Sequence, residues 1–332
     1  MTTPASGGPR CGTRSIALFV AVSGLVGVAL ADGVRVLAGG MSLGVVTAVD
    51  GRDLAYELAG DPDGAPVFVL HGTPGCRLSG RHPDQSRVSA AGLRIITYDR
   101  PGYALSSRHR GRRVVDCVSD VAAIADELGL GRFAIMGGSG GGPHALAVGA
   151  RLAERVTRVW CDVGVAPYDA VDLDWLAGMD PSNARELEWA LAGEDTLAGE
   201  LTREAQKALD QVADDPAALL DHFELSASDR AVLEDEGVRD TLRASVVEMF
   251  ANGVWGWVDD DLELIRPWGF DVQELDVPVE IRYGVTDVLV PPAHGEWLAA
   301  HIAHAEVTID EQGGHLSTPD QRLDKLRTLA TA

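Results

Sequence analysis

The fold is decided by one stretch of the chain, Ile135-Met136-Gly137-Gly138-Ser139-Gly140-Gly141-Gly142-Pro143-His144. An apolar run ends in it and a helix-forming run follows it, so Ser139 stands where a strand turns into a helix, at the centre of a Gly-x-Ser-x-Gly motif. Such a sharp turn needs Gly137 and Gly141 to lack side chains, because the strand and the helix nearly touch there. The start of the helix also aims backbone N–H groups at any oxygen that becomes negative nearby. The pattern therefore predicts a reactive hydroxyl lifted above the edge of a sheet.

A glycine-rich turn also occurs where proteins hold phosphate groups. A Rossmann turn has the spacing Gly-x-Gly-x-x-Gly after the first strand, with an acidic residue about twenty positions later, whereas Ser139 follows roughly the fifth predicted strand. A P-loop needs Gly-Lys-Ser or Gly-Lys-Thr, and both lysines of the chain, Lys207 and Lys325, are distant in sequence. We therefore interpret the stretch as a nucleophile turn and not as a phosphate cradle.

Around this stretch the sequence alternates between strand and helix. A hairpin with an Asp50-Gly51 turn comes first. Short apolar runs predict further strands, and apolar residues at helical spacing predict helices between them. The predicted strands are residues 45–49, 54–58, 67–70, 93–98, 133–136, 156–163, 279–283 and 306–309, and the predicted helices include residues 114–128, 143–154 and 320–329. The alternation predicts an α/β fold with a mostly parallel, eight-stranded sheet and helices on both of its faces.

The composition bounds the class of protein. The chain has 332 residues, 46% of them hydrophobic and 23% charged, which is typical of a globular protein. Its 28 Lys and Arg against 50 Asp and Glu give a net charge of −22. This excess excludes a nucleic-acid partner held by phosphate neutralisation and disfavours adsorption to anionic membranes. The four cysteines are too scattered to predict a disulfide framework or a zinc site: Cys11, Cys76, Cys117 and Cys161.

The middle of the chain differs in composition from the parts on either side of it. Residues 169–266 hold 25 Asp and Glu against 7 Lys and Arg, and apolar residues recur there at helical spacing. We therefore predict an all-helical cap at residues 165–266, inserted between two parts of an α/β core at residues 41–164 and 267–332. The acidic residues are interpreted as solvated faces of surface helices, and the block can also serve as a lid over a ligand site.

Residues 1–40 precede the predicted core, and two alternatives apply to them. Residues 15–31 are uncharged, follow Arg10 and Arg14, and end in a small-x-small pattern, which is typical of a secretory signal and, at this length, marginal for a membrane anchor. Alternatively, translation starts at Met41. The first alternative predicts an exported or membrane-anchored protein and the second a cytoplasmic one, so the sequence leaves the localisation open.

A second glycine-rich turn, His71-Gly72-Thr73-Pro74-Gly75, follows the third predicted strand. Acyl transfer builds negative charge on a carbonyl oxygen, and each rigid N–H donor aimed at that oxygen is worth roughly 10²–10³ in rate. Pro74 has no N–H, so the expected donors of this oxyanion hole are the backbone N–H groups of Thr73 and Gly140. His71 and Gly72 are expected to have structural roles in the turn.

Two later residues complete the predicted chemistry. Asp287 comes just after a late strand and is followed by apolar residues and Pro-Pro, which suits a carboxylate held against a histidine. His315 lies in a Gly-Gly-His turn after the next strand, where it can reach over the sheet edge toward Ser139. Asp162 is the rival acid because it also ends a predicted strand. The chain order Ser139, Asp287, His315 is the order found in α/β hydrolases.

Together these motifs resemble the α/β-hydrolase superfamily over roughly residues 45–329. The resemblance rests on residues 71–75, Tyr98-Asp99-Arg100-Pro101-Gly102-Tyr103, the turn at Ser139, Asp287 and His315. It implies a helical cap after the sixth strand and a structural turn at residues 99–102 beside the pocket. Haloalkane dehalogenases and epoxide hydrolases differ, because they carry an Asp at the position of Ser139. Proline iminopeptidases share a similar His-Gly-x-Pro-Gly loop but usually carry a Trp at the position of Gly140, and this difference argues against peptidase activity.

The predicted function is hydrolysis of an ester-like bond in a small, neutral or cationic molecule. Ser139 would be the nucleophile, His315 the base, and Asp287 the group that orients the base. No cofactor and no metal are expected, and the oligomeric state is left open. The alternatives are a small-molecule receptor on the same fold with slow or incidental hydrolysis, and a cofactor-free perhydrolase or C–C hydrolase that uses the same residues.

Other conspicuous residues near the predicted site are assigned to the core. Cys76 follows the second glycine-rich turn and is expected to be a buried bystander. Aromatic residues of helices pack in cores more often than they line pockets. Four tryptophans are therefore expected in the core, with lining of the lid side of the pocket as the alternative: Trp175, Trp255, Trp257 and Trp268.

Overall fold

Eight strands form the central sheet in a computed structural model, which describes residues 28–29, 35–36, 41–215 and 223–331. The strands are β1 (Ser42–Thr47), β2 (Asp53–Gly60), β3 (Ala65–Leu70), β4 (Leu93–Tyr98), β5 (Phe133–Gly138), β6 (Val156–Asp162), β7 (Val279–Gly284) and β8 (Glu306–Asp310). Each of them overlaps one predicted strand, so the predicted α/β class and strand count are confirmed.

The order of strands brings the ends of the parallel strands together. The order is β1-β2-β4-β3-β5-β6-β7-β8. β1 and β2 form an antiparallel hairpin, β2 pairs antiparallel with β4, and all later pairs are parallel. Two strands of two residues each, Val28–Ala29 and Arg35–Val36, extend the β1 edge. Because β3 to β8 run parallel, their carboxyl ends lie at one edge of the sheet, and the predicted functional residues follow those ends.

Helices cover both faces of the sheet, as predicted. One face carries α2 (Cys117–Glu127), α3 (Gly142–Arg151) and α9 (Pro292–His301), and the other carries α1 (Gln85–Ala90) and α10 (Pro319–Thr331). Along β3, Phe68 belongs to the first core, whereas its neighbours Val67 and Val69 belong to the second. This alternation follows from the pleat of a strand, which points successive side chains to opposite faces.

Five helices lie between β6 and β7 in the described part of the chain. They are α4 (Pro181–Ala192), α5 (Glu194–Asp214), α6 (Ala227–Leu233), α7 (Glu236–Met249) and α8 (Trp255–Leu264). They share a core in which Leu197 and Leu201 of α5 pack with Val246 of α7, and Cys76 and Tyr103 join this core from the sheet side. No strand occurs among the described residues of the predicted cap. The domain boundaries before residue 165 and after residue 266 remain a prediction.

The interpretation of the cap acids as solvated is wrong for α8. Its acidic residues are all buried: Asp259, Asp260, Asp261 and Glu263. Three consecutive residues span about 200° of a helix, so a helix that is buried nearly all round cannot keep three consecutive acids in water. Along α5, by contrast, Leu197 and Leu201 face inward and most charged positions are accessible to solvent.

The predicted signal or anchor segment at residues 15–31 lies outside the described residues, apart from the strand Val28–Ala29. The same holds for most of residues 1–40, so both alternatives for this segment remain predictions. Within the described ranges, no helix combines the length and the apolar character that crossing a bilayer requires.

Candidate active site

Ser139 lies at the corner between β5 and α3, in a short 3₁₀ turn at Ser139–Gly141. Its φ is +54°, a left-handed conformation in which a serine is strained. A Cβ on Gly137 would overlap the carbonyl oxygen of Gly141, and a Cβ on Gly141 would overlap the carbonyl oxygen of His71. The two glycines therefore permit the close approach that puts the Ser139 hydroxyl at the carboxyl edge of the sheet.

His315 and Asp287 are in contact at the same edge. Nδ1 of His315 donates to Oδ2 of Asp287 at 2.8 Å, and Asp287 is 3% exposed. The other carboxylate oxygen accepts the N–H groups of Leu289 at 2.8 Å and Val290 at 2.9 Å. These bonds hold the imidazole and leave its Nε2 available. Within the described ranges, Ser139 makes no hydrogen bond to His315, and in hydrolases such bonds often form only once substrate is bound.

The charges around His315 set its affinity for a proton. Burial alone would lower the pKa of the imidazole, but the Asp287 carboxylate outweighs burial, and Asp229 and Asp162 act in the same direction, so the pKa of His315 is raised above its ordinary value. Asp229 belongs to α6 and is fully buried. Its Oδ1 accepts the N–H of Leu316 at 2.7 Å, which ties the loop that carries His315 to the cap.

Asp162, the rival acid, has a different partner. Its carboxylate accepts a hydrogen bond from Nε of Arg282, and both side chains are largely buried. Nη2 of Arg282 lies 3.4 Å from the carbonyl oxygen of His315, so this ion pair supports the backbone of the histidine loop. The imidazole itself is paired with Asp287.

The loop at residues 71–75, hereafter called the oxyanion loop after its predicted role, lies directly against the serine turn. A Cβ on Gly72 would be 3.2 Å from the Cβ of Ser139, and a Cβ on Gly140 would be 3.2 Å from the backbone N of Thr73. The backbone N–H groups of Thr73 and Gly140 are thus neighbours beside Ser139. The side chain of Thr73 points away to the cap, where its Oγ1 donates to Oδ2 of Asp260 at 2.7 Å.

The sequence patterns do not predict the buried ion-pair network that lies behind the oxyanion loop. Asp260 is completely buried and accepts hydrogen bonds from Arg100, Arg112 and Tyr103, the last at 2.9 Å. Burial would raise the pKa of Asp260, but Arg100 and Arg112 overcome this and hold it well below its usual value. Asp260 therefore stays ionised and anchors Thr73 from α8.

Arg100 links the network to the backbone of the oxyanion loop. Its guanidinium donates to the carbonyl oxygen of His71 and, at 2.8 Å, to that of Gly72. Nδ1 of His71 donates to the carbonyl oxygen of Gly72 at 2.8 Å, while Nε2 accepts the N–H of Arg100 at 3.2 Å. Burial and the nearby Arg100 hold the pKa of His71 well below its usual value, so the ring is neutral. These contacts give His71 and Gly72 structural positions.

His144 completes the network on the side of the serine turn. Its Nδ1 donates to the carbonyl oxygen of Gly140 at 2.8 Å, and its Nε2 lies 2.9 Å from Oε1 of Glu263. Burial and the neighbouring Arg100 lower the pKa of His144 to about 3.

The side chains of His144, Asp260 and Glu263 are close enough together to hold a metal ion. However, Arg112 donates to both carboxylates, so a guanidinium already supplies the positive charge that a metal would bring.

The cysteine and the tryptophans near the site have structural contacts. Burial raises the pKa of the Cys76 thiol to about 12, which makes it a poor nucleophile. The Trp175 indole N–H donates to the carbonyl oxygen of Ala166, and Trp268 lies in the core of the sheet. Trp255 is 40% exposed beneath Arg108, so the prediction that it packs in the core is wrong.

Comparison with known proteins decides the family. A family model described as alpha/beta hydrolase fold matches residues 65–320. The chain belongs to the alpha/beta hydrolase family. The match covers most of the α/β core and all of the predicted cap, so this chain is a hydrolase of that fold.

Other alpha/beta hydrolases are similar to the chain over different extents. It is 31% identical over 124 residues to a proline iminopeptidase from Xylella fastidiosa, a match covering 35% of this chain and 37% of that protein. The chain thus spans little more than a third of the length of this curated relative. Among solved structures, an alpha/beta hydrolase fold protein from Nakamurella multipartita matches 87% of this chain and 99% of its own, with a TM-score of 0.60 and 22% identity. An esterase from Exiguobacterium antarcticum matches 86% and 97%, with a TM-score of 0.60 and 20% identity. At these identities the two structures establish the fold alone.

Proposed function

We propose that this alpha/beta hydrolase cleaves an ester-like bond of a small molecule through Ser139, His315 and Asp287. The observation that carries the proposal is the 2.8 Å hydrogen bond between His315 and Asp287, at the same sheet edge as a serine held at φ +54°. A serine in a strained backbone conformation and the burial of a carboxylate both cost free energy of folding. Features of this kind cluster at functional sites, which supports the proposal.

The chemistry follows from these positions. Nε2 of His315 takes the hydroxyl proton while Oγ of Ser139 bonds to the carbonyl carbon, and the carbonyl π electrons move onto oxygen. The N–H groups of Thr73 and Gly140 donate to that oxyanion. As the tetrahedral intermediate collapses, the C–O bond to the leaving alcohol breaks and His315 gives its proton to the alcohol. Water, deprotonated by His315, then releases the acid and restores Ser139. Asp287 fixes the tautomer and stabilises the imidazolium throughout.

We favour an ester over a peptide as the substrate because of the residue at position 140. Proline iminopeptidases usually carry a Trp there, whereas here a Cβ on Gly140 would overlap the Oγ1 of Thr73. Thr73 cannot turn aside without losing its hydrogen bond to Asp260. The wall of the pocket next to the nucleophile therefore differs from that of the peptidases that this chain resembles over part of its length.

The net charge of −22 favours an uncharged probe, so the test uses p-nitrophenyl acetate and a fluorophosphonate label. We expect one label per chain, on Ser139, and steady ester turnover. Ser139→Ala should remove labelling and lower turnover by at least about 10⁴, whereas Ser89→Ala, on the exposed side of α1, should change neither. Full activity in Ser139→Ala would refute the proposal. Stoichiometric labelling with no turnover of any short- or medium-chain ester would favour the receptor alternative.

A further inference from the structure

A cavity of about 220 Å³ lies between the segment that follows the oxyanion loop, the cap helices α6 and α7, and the start of α10. Its walls are mainly apolar and include Val232, Leu233 and Met249 of the cap. Pro74 and Leu316 also line it. Because Pro74 follows Thr73 and Leu316 follows His315, the cavity adjoins the predicted active site without including Ser139.

One cation on the wall of this cavity lacks a partner. Arg322, in the first turns of α10, has a buried Nε with no hydrogen-bond partner, and no ion pair joins its guanidinium to a carboxylate within the described ranges. The other two basic residues on the wall are engaged elsewhere, since Arg81 is bound by Glu57 and His82 contacts Asp320 at 3.2 Å.

Arg322 is half-buried and, within the described residues, differs from the four buried arginines in having no carboxylate partner. Acidic residues outnumber basic ones by 50 to 28, yet no Asp or Glu lines the described walls of the cavity. The arginines that are buried in the described residues each have a carboxylate partner: Arg77, Arg100, Arg112 and Arg282. No carboxylate on the described cavity walls therefore neutralises Arg322, and the nearby Asp162, which attracts it, is already paired with Arg282.

The physical chemistry of a guanidinium indicates what would complete this site. Burial lowers the pKa of Arg322 and the attraction of Asp162 compensates only in part, but an arginine in a protein stays protonated. A protonated guanidinium on a mainly apolar wall, with no ion-pair partner among the described residues, favours the binding of an anion in the cavity. The planar fork of donors matches a carboxylate, which can accept two parallel hydrogen bonds.

We propose that this cavity binds a small aliphatic monocarboxylate, with the carboxylate on Arg322 and the hydrocarbon chain against Val232, Leu233 and Met249. A dry cavity of about 150 Å³ takes benzene, so a cavity of about 220 Å³ has room for a six-carbon chain. One carboxylate matches one guanidinium, and the charge of the surrounding protein still disfavours polyanions. The inference concerns binding alone and does not depend on the proposed hydrolysis.

The test is calorimetric titration of the full chain with hexanoate and with hexan-1-ol, which have similar hydrocarbon chains and differ in charge. The wild type should bind hexanoate at least about tenfold more tightly than hexan-1-ol, because a hydrogen bond to a charged group is worth more than one to a neutral group. Arg322→Met keeps the apolar stem and should abolish this preference, and Arg322→Lys should retain part of it. Arg327→Met is the matched control, since Arg327 lies on the same helix, is exposed, and pairs with Asp324 at 3.6 Å.

A second variant keeps the proposal testable if Arg322→Met does not fold. Val238→Trp would fill the cavity from the cap side while leaving Arg322 in place, and it should weaken binding of both ligands. Thermal unfolding of each variant shows whether it is folded. Equal affinities for hexanoate and hexan-1-ol in the wild type, or undiminished hexanoate binding in a folded Arg322→Met or Val238→Trp, would overturn the proposal.

Discussion

The Oγ1 of Thr73 donates a 2.7 Å hydrogen bond to Asp260, and this bond joins the oxyanion loop to helix α8 of the cap. The same carboxylate is held by Arg100, which also binds the carbonyl oxygens of His71 and Gly72. Both the side chain and the backbone carbonyls of the loop are thus fixed by one buried ion pair. We therefore expect this arrangement to orient the Thr73 N–H, the proposed oxyanion donor.

The first prediction concerns this hydrogen bond. Thr73→Val keeps the shape of the side chain and removes its donor, so we expect kcat for p-nitrophenyl acetate to fall by about tenfold with little change in KM. The loss should be smaller than the roughly 10²–10³ seen when an oxyanion donor itself is deleted, because the N–H remains. Thr73→Ser restores the donor and should recover most of the activity. If the valine and serine variants have equal kcat values, the hydrogen bond does not position the loop.

Thr73 is a better probe than Asp260 itself. Asp260→Asn would leave Arg100 and Arg112 buried without their shared counter-charge, and breaking a buried pair costs about 3–5 kcal/mol of the free energy of unfolding. A loss of activity in that variant would therefore report on folding as much as on the oxyanion loop.

The second prediction is a pH profile. His315 acts as a base only when neutral, and its pKa is raised above the ordinary value, so kcat/KM should rise with pH through an apparent pKa above about 6.5. Asp287→Asn removes the charge that raises this pKa. We expect the acidic limb of the profile to move to lower pH and kcat to fall by about 10⁴, through loss of the correct tautomer.

Asp162→Asn is the comparison for the pH profile. Asp162 contributes less than Asp287 to the charge around His315 and is paired with Arg282, so its removal should move the limb by a smaller amount. A larger shift with Asp162→Asn than with Asp287→Asn would assign the orienting acid to Asp162.

The raised pKa of His315 also contributes to the free energy of unfolding. This contribution is present at acidic pH and is lost as pH rises through the folded-state pKa.

Ser139 and Asp260 show which features of the candidate site can be predicted from the sequence and which cannot. Ser139 could be predicted because a local pattern, a strand, two glycines and a helix, specifies its conformation, and the observed φ of +54° is a property of that short stretch. Asp260 could not be assigned, because its partners Thr73, Arg100 and Arg112 are about 150 to 190 positions away in sequence. The run Asp259-Asp260-Asp261 beside two tryptophans does contain a signal, since consecutive acids on an apolar helix cannot all face solvent.

The same distinction applies to charge. Net charge is additive over the sequence, so the strongly acidic character of the cap is evident from composition. Whether a particular residue has a partner depends on packing between elements, and for that reason the unpaired guanidinium of Arg322 becomes visible only when α10 is placed beside α6 and α7. The prediction of a neutral or cationic substrate rests on the net charge alone, and it does not consider the local positive charge of Arg322.

The third prediction concerns Gly140. A Cβ at this position would overlap the Oγ1 of Thr73 and lie 3.2 Å from its backbone N, so Gly140→Ala should displace the oxyanion loop. We expect esterase activity to fall by about tenfold or more, and Gly140→Trp to be more damaging. Gly199→Ala is the control: a Cβ there meets nothing within 4 Å, and in the middle of α5 the change should stabilise the protein by up to about 1 kcal/mol. An active Gly140→Trp variant that gains aminopeptidase activity would contradict the view that Thr73 occupies this wall.

The last prediction concerns Asp229, a cap residue that touches the loop of the proposed base. Its Oδ1 accepts the N–H of Leu316 at 2.7 Å, and its charge adds to the raised pKa of His315. Asp229→Asn keeps an acceptor but removes the charge, so the acidic limb of kcat/KM should move to lower pH while KM changes little. Asp229→Ala removes both and should lower kcat further, because the loop loses its tie to α6. Ser228→Ala tests the specificity of this effect, since the neighbouring hydroxyl binds the carbonyl oxygen of Gln312 at 3.1 Å and the hydroxyl of Ser226 at 2.8 Å but, among the described residues, makes no hydrogen bond to the Asp229 carboxylate. If Asp229→Asn leaves the limb where it is in the wild type, Asp229 holds the loop in place without influencing the proton on His315.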